Sequence, residues 1–210
     1  TGDLIASTQG QQVDLGAASV GGHLSVQTNG GNIVQSTAPN SALQVAGTST
    51  LNAGSGNVTL PNVPNQFGGA VSLQAHDVQL VGSQGLTLGN STVSGNLSVT
   101  AATGDVVQTP TGILTVTGTS TFNATQGDVL LDNTNTFTQA VVVNAVNATL
   151  HTASALTLGT STVTGDWVAQ VDQGDVTQIG PVRVGGTTDI TTTAGNVTLT
   201  DEIGRASCRE

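Results

Sequence analysis

Residues 114–131 read LTVTGTSTFNATQGDVLL, and they repeat an earlier stretch, residues 43–60, which reads LQVAGTSTLNAGSGNVTL. Eleven of the eighteen aligned residues are identical. A third and weaker copy, VRVGGTTDITTTAGNVTL, occupies residues 182–199. Self-similarity at a fixed spacing is typical of repeat architectures, in which stacked copies bury the apolar side chains of their neighbours.

The apolar residues of the central copy predict β-strands and not a helix. They lie in pairs two positions apart, which is the period of a strand with one buried face. Thr and Val fill much of the remainder, and β-branched side chains suit a pleated surface. The two-residue period is interrupted at Gly118 and at Gly127-Asp128. We expect corners there, in which positive φ is tolerated. The predicted core residues are Leu114, Val116, Phe122, Ala124, Val129 and Leu131.

Further alignments extend the repeat over most of the chain. Residues 16–35 match residues 89–108 and 159–178, and residues 67–88 match residues 137–158, at offsets of 70 to 73 residues. We therefore assign residues 1–201 to a single β-solenoid built from superunits of about 70 residues. The predicted superunits are residues 14–42 (partial), 43–113, 114–181 and 182–201 (partial).

Each superunit holds roughly nine strand-like pieces, which fits three coils of three short strands. The predicted fold is therefore all-β, a right-handed parallel β-helix of about nine coils. The right hand is expected because parallel crossover connections are overwhelmingly right-handed. The alternative fold is a string of β-sandwich modules, whose cores are richer in aromatic residues. This chain has no Tyr and one Trp, which favours the solenoid.

The composition excludes several kinds of partner. Only 8% of the 210 residues are charged, and the net charge is −10. Nucleic acids and anionic membrane surfaces are bound through Lys and Arg, so neither is an expected partner. No apolar run is long enough to span a bilayer as a helix.

The last nine residues, 202–210, differ sharply from the rest. Their sequence EIGRASCRE contains both Glu residues, two of the three Arg residues and the only cysteine, Cys208. The preceding 201 residues contain one Arg, Arg183, and no Glu. The segment resembles the translation of a sequencing adapter. We interpret it as a non-native tail and expect the chain to be an internal fragment of a longer protein.

The repeats resemble those of the filamentous haemagglutinin-type proteins, which are large secreted bacterial adhesins with β-helical stalks. The resemblance is carried by LTVTGTSTFNA, GDVLL, NTFTQAVVV and ALTLGTSTVTGDW, and it covers nearly all of residues 14–201. It implies a secreted or outer-membrane-associated bacterial surface protein. It further implies a monomeric rod whose receptor is bound by other parts of the protein.

Four aspartates recur beside strands, and stacked carboxylates could bind Ca²⁺. However, Asn57 and Asn196 occupy the position of Asp128, which an obligatory metal ligand would not allow. We expect corner residues instead, and we predict no catalytic residue, no metal ligand and no cofactor. The four aspartates are Asp105, Asp128, Asp166 and Asp175.

The histidines and the large aromatics also favour structural roles. His23, His76 and His151 do not coincide in the repeat, so they form no stacked ligand column. Trp167 and Phe122 align with leucines and are expected in the core. Asn-x-Ser/Thr triplets, which can be glycosylation acceptors, begin at Asn57, Asn90, Asn96, Asn123, Asn147 and Asn196.

These observations predict a structural stalk segment of a surface adhesin, without catalysis. One alternative is a carbohydrate-active β-helix enzyme, which would need clustered carboxylates and often a Lys or Arg. The chain before residue 202 has no Glu, no Lys and one Arg. Another alternative is an ice-binding solenoid, for which the Thr-Ser-Thr triplets at residues 48–50, 119–121 and 160–162 would have to stack on a flat face.

Overall fold

A computed structural model describes residues 2–36, 38 and 41–200. The described residues form 26 β-strands and no helix. No segment among them is therefore a helix that could cross a membrane. The tail at residues 202–210, with Cys208, lies outside the described residues.

The strands are short and are numbered in chain order. The first nine are β1 (Leu4–Ser7), β2 (Val13–Asp14), β3 (Ala18–Val20), β4 (Leu24–Gln27), β5 (Ile33–Val34), β6 (Leu43–Val45), β7 (Ser49–Asn52), β8 (Val58–Leu60) and β9 (Gln66–Phe67). The next nine are β10 (Val71–Ala75), β11 (Val78–Gly82), β12 (Leu86–Leu88), β13 (Ser91–Val93), β14 (Leu97–Ala101), β15 (Val106–Gln108), β16 (Leu114–Val116), β17 (Ser120–Ala124) and β18 (Val129–Phe137). The last eight are β19 (Val141–Ala145), β20 (Ala148–Thr152), β21 (Leu156–Leu158), β22 (Ser161–Val163), β23 (Trp167–Val171), β24 (Val176–Gln178), β25 (Val182–Val184) and β26 (Thr188–Thr192).

All the strand pairs are parallel and connect successive coils. A 12-stranded sheet runs from β1 to β26, and we call it sheet A. An 11-stranded sheet, sheet B, contains β2, β24 and the strands stacked between them, and a small three-stranded sheet joins β3, β6 and β9. About nine coils are stacked in this way, which confirms the predicted fold class of a parallel β-helix.

The number of coils in each superunit differs from the prediction of three. Ser49 lies beside Val71, Val71 beside Leu88, and Leu88 beside Gln108, so a coil here takes about 20 residues and not 23. A superunit of about 70 residues therefore covers between three and four coils. As a result, the equivalent strands β7 and β17 lie in different sheets, β7 in sheet A and β17 in sheet B.

The core consists of the inward-facing residues of every coil. Val71, Leu73 and Ala75 of β10 are buried, whereas Ser72 and Gln74 face outward. The predicted pairs of the central stretch are all fully buried at 0% exposure, which confirms the two-residue period. These residues are Leu114, Val116, Phe122, Ala124, Val129 and Leu131.

The reason proposed for the corner glycines is wrong at the central stretch. Gly118 and Gly127 do not have positive φ. A Cβ atom on Gly127 would instead overlap the carbonyl of Gly104 in the preceding coil, and one on Gly118 would meet the carbonyl of Gly95. Glycine is therefore needed at these corners because consecutive coils approach too closely for a side chain.

Candidate functional site

The four predicted corner aspartates belong to ladders of side chains that run along the edges of the solenoid. At each rung, a side-chain acceptor receives the backbone N–H of the residue one coil later. In the ladder that holds three of these aspartates, the N···O distances are 2.8, 2.9, 2.9 and 2.7 Å. The ladder consists of Asp105, Asp128, Asn147, Asp166 and Thr187.

The same ladder occurs one superunit earlier, with distances of 2.9, 3.0, 2.7 and 2.9 Å. It consists of Asn32, Asn57, Asp77, Asn96 and Thr119. A shorter ladder joins Asp3, His23 and Thr48, in which the Thr48 N–H donates to Nδ1 of His23 at 3.0 Å. Asp175 accepts the Asn196 N–H at 2.8 Å. These contacts place all four predicted aspartates, and also His23, at corners.

One acceptor lone pair is enough for each rung, which explains why Asp, Asn and His replace one another at these positions. The hydrogen bonds from the N–H and Oγ1 of Thr187 lower the pKa of Asp166, because they favour its ionised form. Among the described residues, no group of three or more His, Cys, Asp or Glu side chains could hold a metal ion.

Removing one rung gives a direct test of the ladder. Asp128→Ala leaves the N–H of Asn147 without its acceptor at 2.9 Å, and it should lower the free energy of unfolding by about 1 kcal/mol. Asp128→Asn is the matched control, because Asn57 accepts the equivalent backbone N–H one superunit earlier. This variant should change the free energy of unfolding by less than about 0.5 kcal/mol. Both are measured by guanidinium unfolding. Equal destabilisation by the two variants would contradict the ladder.

His151 connects three consecutive coils, which the sequence did not predict. Its Nε2 lies 2.9 Å from Oδ1 of Asp172, and its Nδ1 lies 3.2 Å from the backbone carbonyl oxygen of Asp132. The hydrogen bond to Asp172 raises the pKa of His151 above its ordinary value of 6.5, against the opposing effect of burial. His76 is exposed, and its imidazole lies 3.1 Å from the Ser94 hydroxyl and 4.0 Å from a carboxylate oxygen of Asp77.

This arrangement predicts a pH-dependent stability. Because the pKa of His151 is raised in the folded state, its contribution is complete below pH 6.5 and is lost as the pH rises through the folded-state pKa. The stability difference between wild type and His151→Val should therefore be larger at about pH 5.5 than at about pH 8.5. Val81 occupies the equivalent position one superunit earlier, so Val is compatible with the fold. Asp172→Asn is the control and should abolish the difference, and a pH-independent gap would contradict the prediction.

The sequence analysis missed a pair of buried amides that closes a corner in two coils. Nε2 of Gln35 donates to Oδ1 of Asn65 at 2.7 Å, and Nδ2 of Asn65 donates back to Oε1 of Gln35 at 2.8 Å. Gln108 and Asn135 repeat the pair at 2.7 and 3.1 Å. The signal was the recurrence of Gln at aligned positions 35, 108 and 178, each two residues after an apolar strand residue.

Two equivalent β-bulges also went unpredicted. Between Val71↔Leu88 and Gln74↔Thr92, the upper coil has one extra residue. The Ser91 hydroxyl fills the gap, because it accepts the Leu73 N–H at 3.1 Å and donates to the Gly89 carbonyl at 3.0 Å. Ser161 does the same one superunit later, with the Val143 N–H at 3.0 Å and the Gly159 carbonyl at 2.9 Å.

A shallow groove lies outside each bulge. The groove on sheet A has a volume of about 190 Å³ and is lined by Asn52, Gln74 and Thr92, among others. The groove on sheet B has a volume of about 350 Å³ and is lined by the equivalent residues Asn123, Asn144 and Thr162. Their amides and hydroxyls can exchange hydrogen bonds with an uncharged polar molecule, but none of these groups is an acid or a base at neutral pH.

The remaining candidates divide between the core and the surface. Trp167 and Phe122 are fully buried, as predicted. Of the asparagines in Asn-x-Ser/Thr triplets, Asn90, Asn96 and Asn196 are exposed and the other three are half-buried. The Thr-Ser-Thr triplets do not stack. Thr50 lies in sheet A, whereas Thr121 and Thr162 lie in sheet B, where Thr121 lies beside Val142 and Thr162 lies beside Asn144.

The coils, the corner ladders and the buried amide pairs define a repeat protein of the parallel β-helix class. A family model described as repeats of unknown function, DUF5649, matches residues 1–74, 75–144 and 145–203. The chain therefore belongs to this repeat family. Comparison with curated proteins and with solved structures gave no match.

Proposed function

We propose that this chain is a stalk segment of a large secreted or surface-anchored bacterial adhesin of the filamentous haemagglutinin type. The observation that carries the proposal is the unbroken stack of parallel strands from β1 to β26 in sheet A. At a strand spacing of about 4.8 Å, nine coil steps give a rod about 40 Å long. Such a segment acts as a spacer that holds a binding region away from the cell.

Three further features favour a spacer. Each coil satisfies backbone groups of its neighbour, both through the strands and through the corner ladders, so bending the rod would stretch the hydrogen bonds along its convex side. The outward residues are mostly Thr, Ser, Asn and Gln, which remain solvated without ion pairs. The candidate residues are spread along corners and do not converge in a cleft.

The partners and location follow from this proposal. The receptor would be bound by other parts of the adhesin, and the segment itself would be a monomeric rod outside the cell. Nucleic acid remains an unexpected partner because of the net charge of −10. We expect no catalysis and no cofactor in this segment.

The test is the accessibility of the segment on intact cells of the source bacterium. Antibodies raised against the purified chain should label intact cells, and brief external protease treatment should remove the label. Labelling only after permeabilisation would overturn the proposal. Deletion of the encoding gene should then reduce attachment of the cells to host surfaces, whereas unchanged attachment would contradict the adhesin assignment and leave the solenoid fold unaffected.

A further inference from the structure

The two grooves at the β-bulges share a column of polar side chains in three consecutive coils. The strand register places each member of the column directly beside the next. The column consists of Asn52, Gln74 and Thr92 on sheet A and of Asn123, Asn144 and Thr162 on sheet B. The same three positions face a groove in both superunits, although the two grooves lie on different sheets. The groove is therefore a property of the repeat.

The β-bulge fixes the last member of the column on sheet B. Between Val141↔Leu158 and Asn144↔Thr162, the upper coil has one extra residue. Ser161, directly before Thr162, is buried, and its hydroxyl is hydrogen-bonded to backbone groups on both sides. Bulges re-aim side chains and are frequent beside binding sites. The position of Thr162 relative to Asn144 is thus set by the backbone of the bulge.

The amides of the sheet B groove are already ordered by hydrogen bonds to one another. Nδ2 of Asn144 donates to Oδ1 of Asn123 at 2.8 Å, and Nδ2 of Asn123 donates to the Thr100 hydroxyl at 3.4 Å. Oδ1 of Asn144 accepts no hydrogen bond within the described part of the chain, so it is available to a ligand. Polar groups that are ordered in advance lose less entropy when a ligand binds.

The lining of the sheet B groove restricts the chemical class of this ligand. None of the described residues that line it is charged or aromatic, so the groove offers nothing that favours an ion or an apolar ring. A peptide could not add a strand there, because β17, β19 and β22 each have neighbours on both sides. Arg183 lies beside Thr162 in the next coil but does not line the groove.

A neutral molecule with several hydroxyl groups fits these conditions. Each hydroxyl both donates and accepts, as do the amides and hydroxyls of the column, which recur at the strand spacing of about 4.8 Å. The groove volume of about 350 Å³ lies at the lower end of the range of roughly 300–1,000 Å³ for small-molecule sites. This volume suits one or two sugar rings.

We propose that the groove on sheet B binds a neutral saccharide. Oδ1 of Asn144 accepts from a sugar hydroxyl, and the exposed hydroxyls of Thr162 and Thr164 exchange hydrogen bonds with its neighbours. The groove on sheet A is a weaker second site, because it is smaller and the side chain of Gln74 has no hydrogen bond among the described residues to order it. This assignment rests on the repeat geometry and is independent of the adhesin proposal.

Isothermal titration calorimetry of the full chain with neutral tetrasaccharides tests the proposal. The probes are cellotetraose, laminaritetraose and maltotetraose, and tetragalacturonate is the acidic counterpart. At least one neutral probe should bind saturably with a Kd of about 1 mM or lower, and tetragalacturonate should bind at least tenfold more weakly. Saturable binding by none of the neutral probes, or equal or tighter binding of the acidic probe, would overturn the proposal.

Variants of the chain locate the site. Asn144→Ala and Thr162→Val should each weaken the binding of the neutral probe at least threefold. Thr162→Val keeps a β-branched side chain and removes only the hydroxyl. Gln170→Ala, on the exposed face of β23, is the matched control and should leave the affinity unchanged, as should Arg183→Gln. Circular dichroism verifies that each variant is folded. Full affinity in both groove variants, or loss of binding in Arg183→Gln alone, would contradict the site.

Discussion

Phe122→Ala is expected to lower the free energy of unfolding by about 3–5 kcal/mol. Phe122 is fully buried in β17, between Val99 of the preceding coil and Val143 of the next. Its ring also meets that of Phe137 edge-on, with centroids 6.0 Å apart. Truncation removes this apolar area from the core and leaves a cavity that stacked coils cannot close, because each coil is held in register by both neighbours.

Phe122→Leu is the matched control. Leu51 occupies the equivalent position one superunit earlier and is also fully buried. This variant should cost less than about 1.5 kcal/mol, because the core keeps a large apolar side chain of compatible shape. Both values come from guanidinium unfolding followed by the fluorescence of Trp167, the only tryptophan. An alanine variant no less stable than the leucine variant would contradict the assigned core.

Much of the architecture could be predicted from the sequence, because a buried face imposes a strict two-residue period. That period predicts Leu114, Val116, Val129 and Leu131 in the core, and all four are fully buried. Strand β9 was not predicted, because a strand of two residues close to Pro64 is too short to show an alternation of buried and exposed residues. The number of residues per coil could not be predicted either, because the sequence repeat gives the length of the superunit and not the length of one coil.

The contacts at the corners were harder to predict for a different reason. Asp105, Asp128 and Asp166 were recognised as corner residues, but their partners lie one coil later, at separations of 19 to 23 residues. Those separations vary from coil to coil, so alignment of superunits does not show which residues stack. The same holds for the buried amide of Asn135, whose partner Gln108 lies 27 residues earlier.

Asn135→Ala is expected to lower the free energy of unfolding by about 2–4 kcal/mol. Asn135 is fully buried. Its Oδ1 accepts from Nε2 of Gln108 at 2.7 Å and from the Leu114 N–H at 2.9 Å, and its Nδ2 donates to the Asn133 carbonyl at 2.7 Å. Alanine would leave the buried Leu114 N–H without its acceptor and would remove the hydrogen bonds to Gln108 and to the Asn133 carbonyl, so the cost exceeds that of an exposed hydrogen bond.

The neighbouring residue supplies the control for this experiment. Thr134→Ala changes an exposed side chain in the same strand and should shift the unfolding free energy by less than about 0.5 kcal/mol. Asn65→Ala should reproduce the large effect, because Asn65 makes the equivalent bonds to Gln35 and to the Leu43 N–H. If Asn135→Ala and Thr134→Ala were equally mild, the hydrogen bonds between Gln108 and Asn135 would not stabilise the corner.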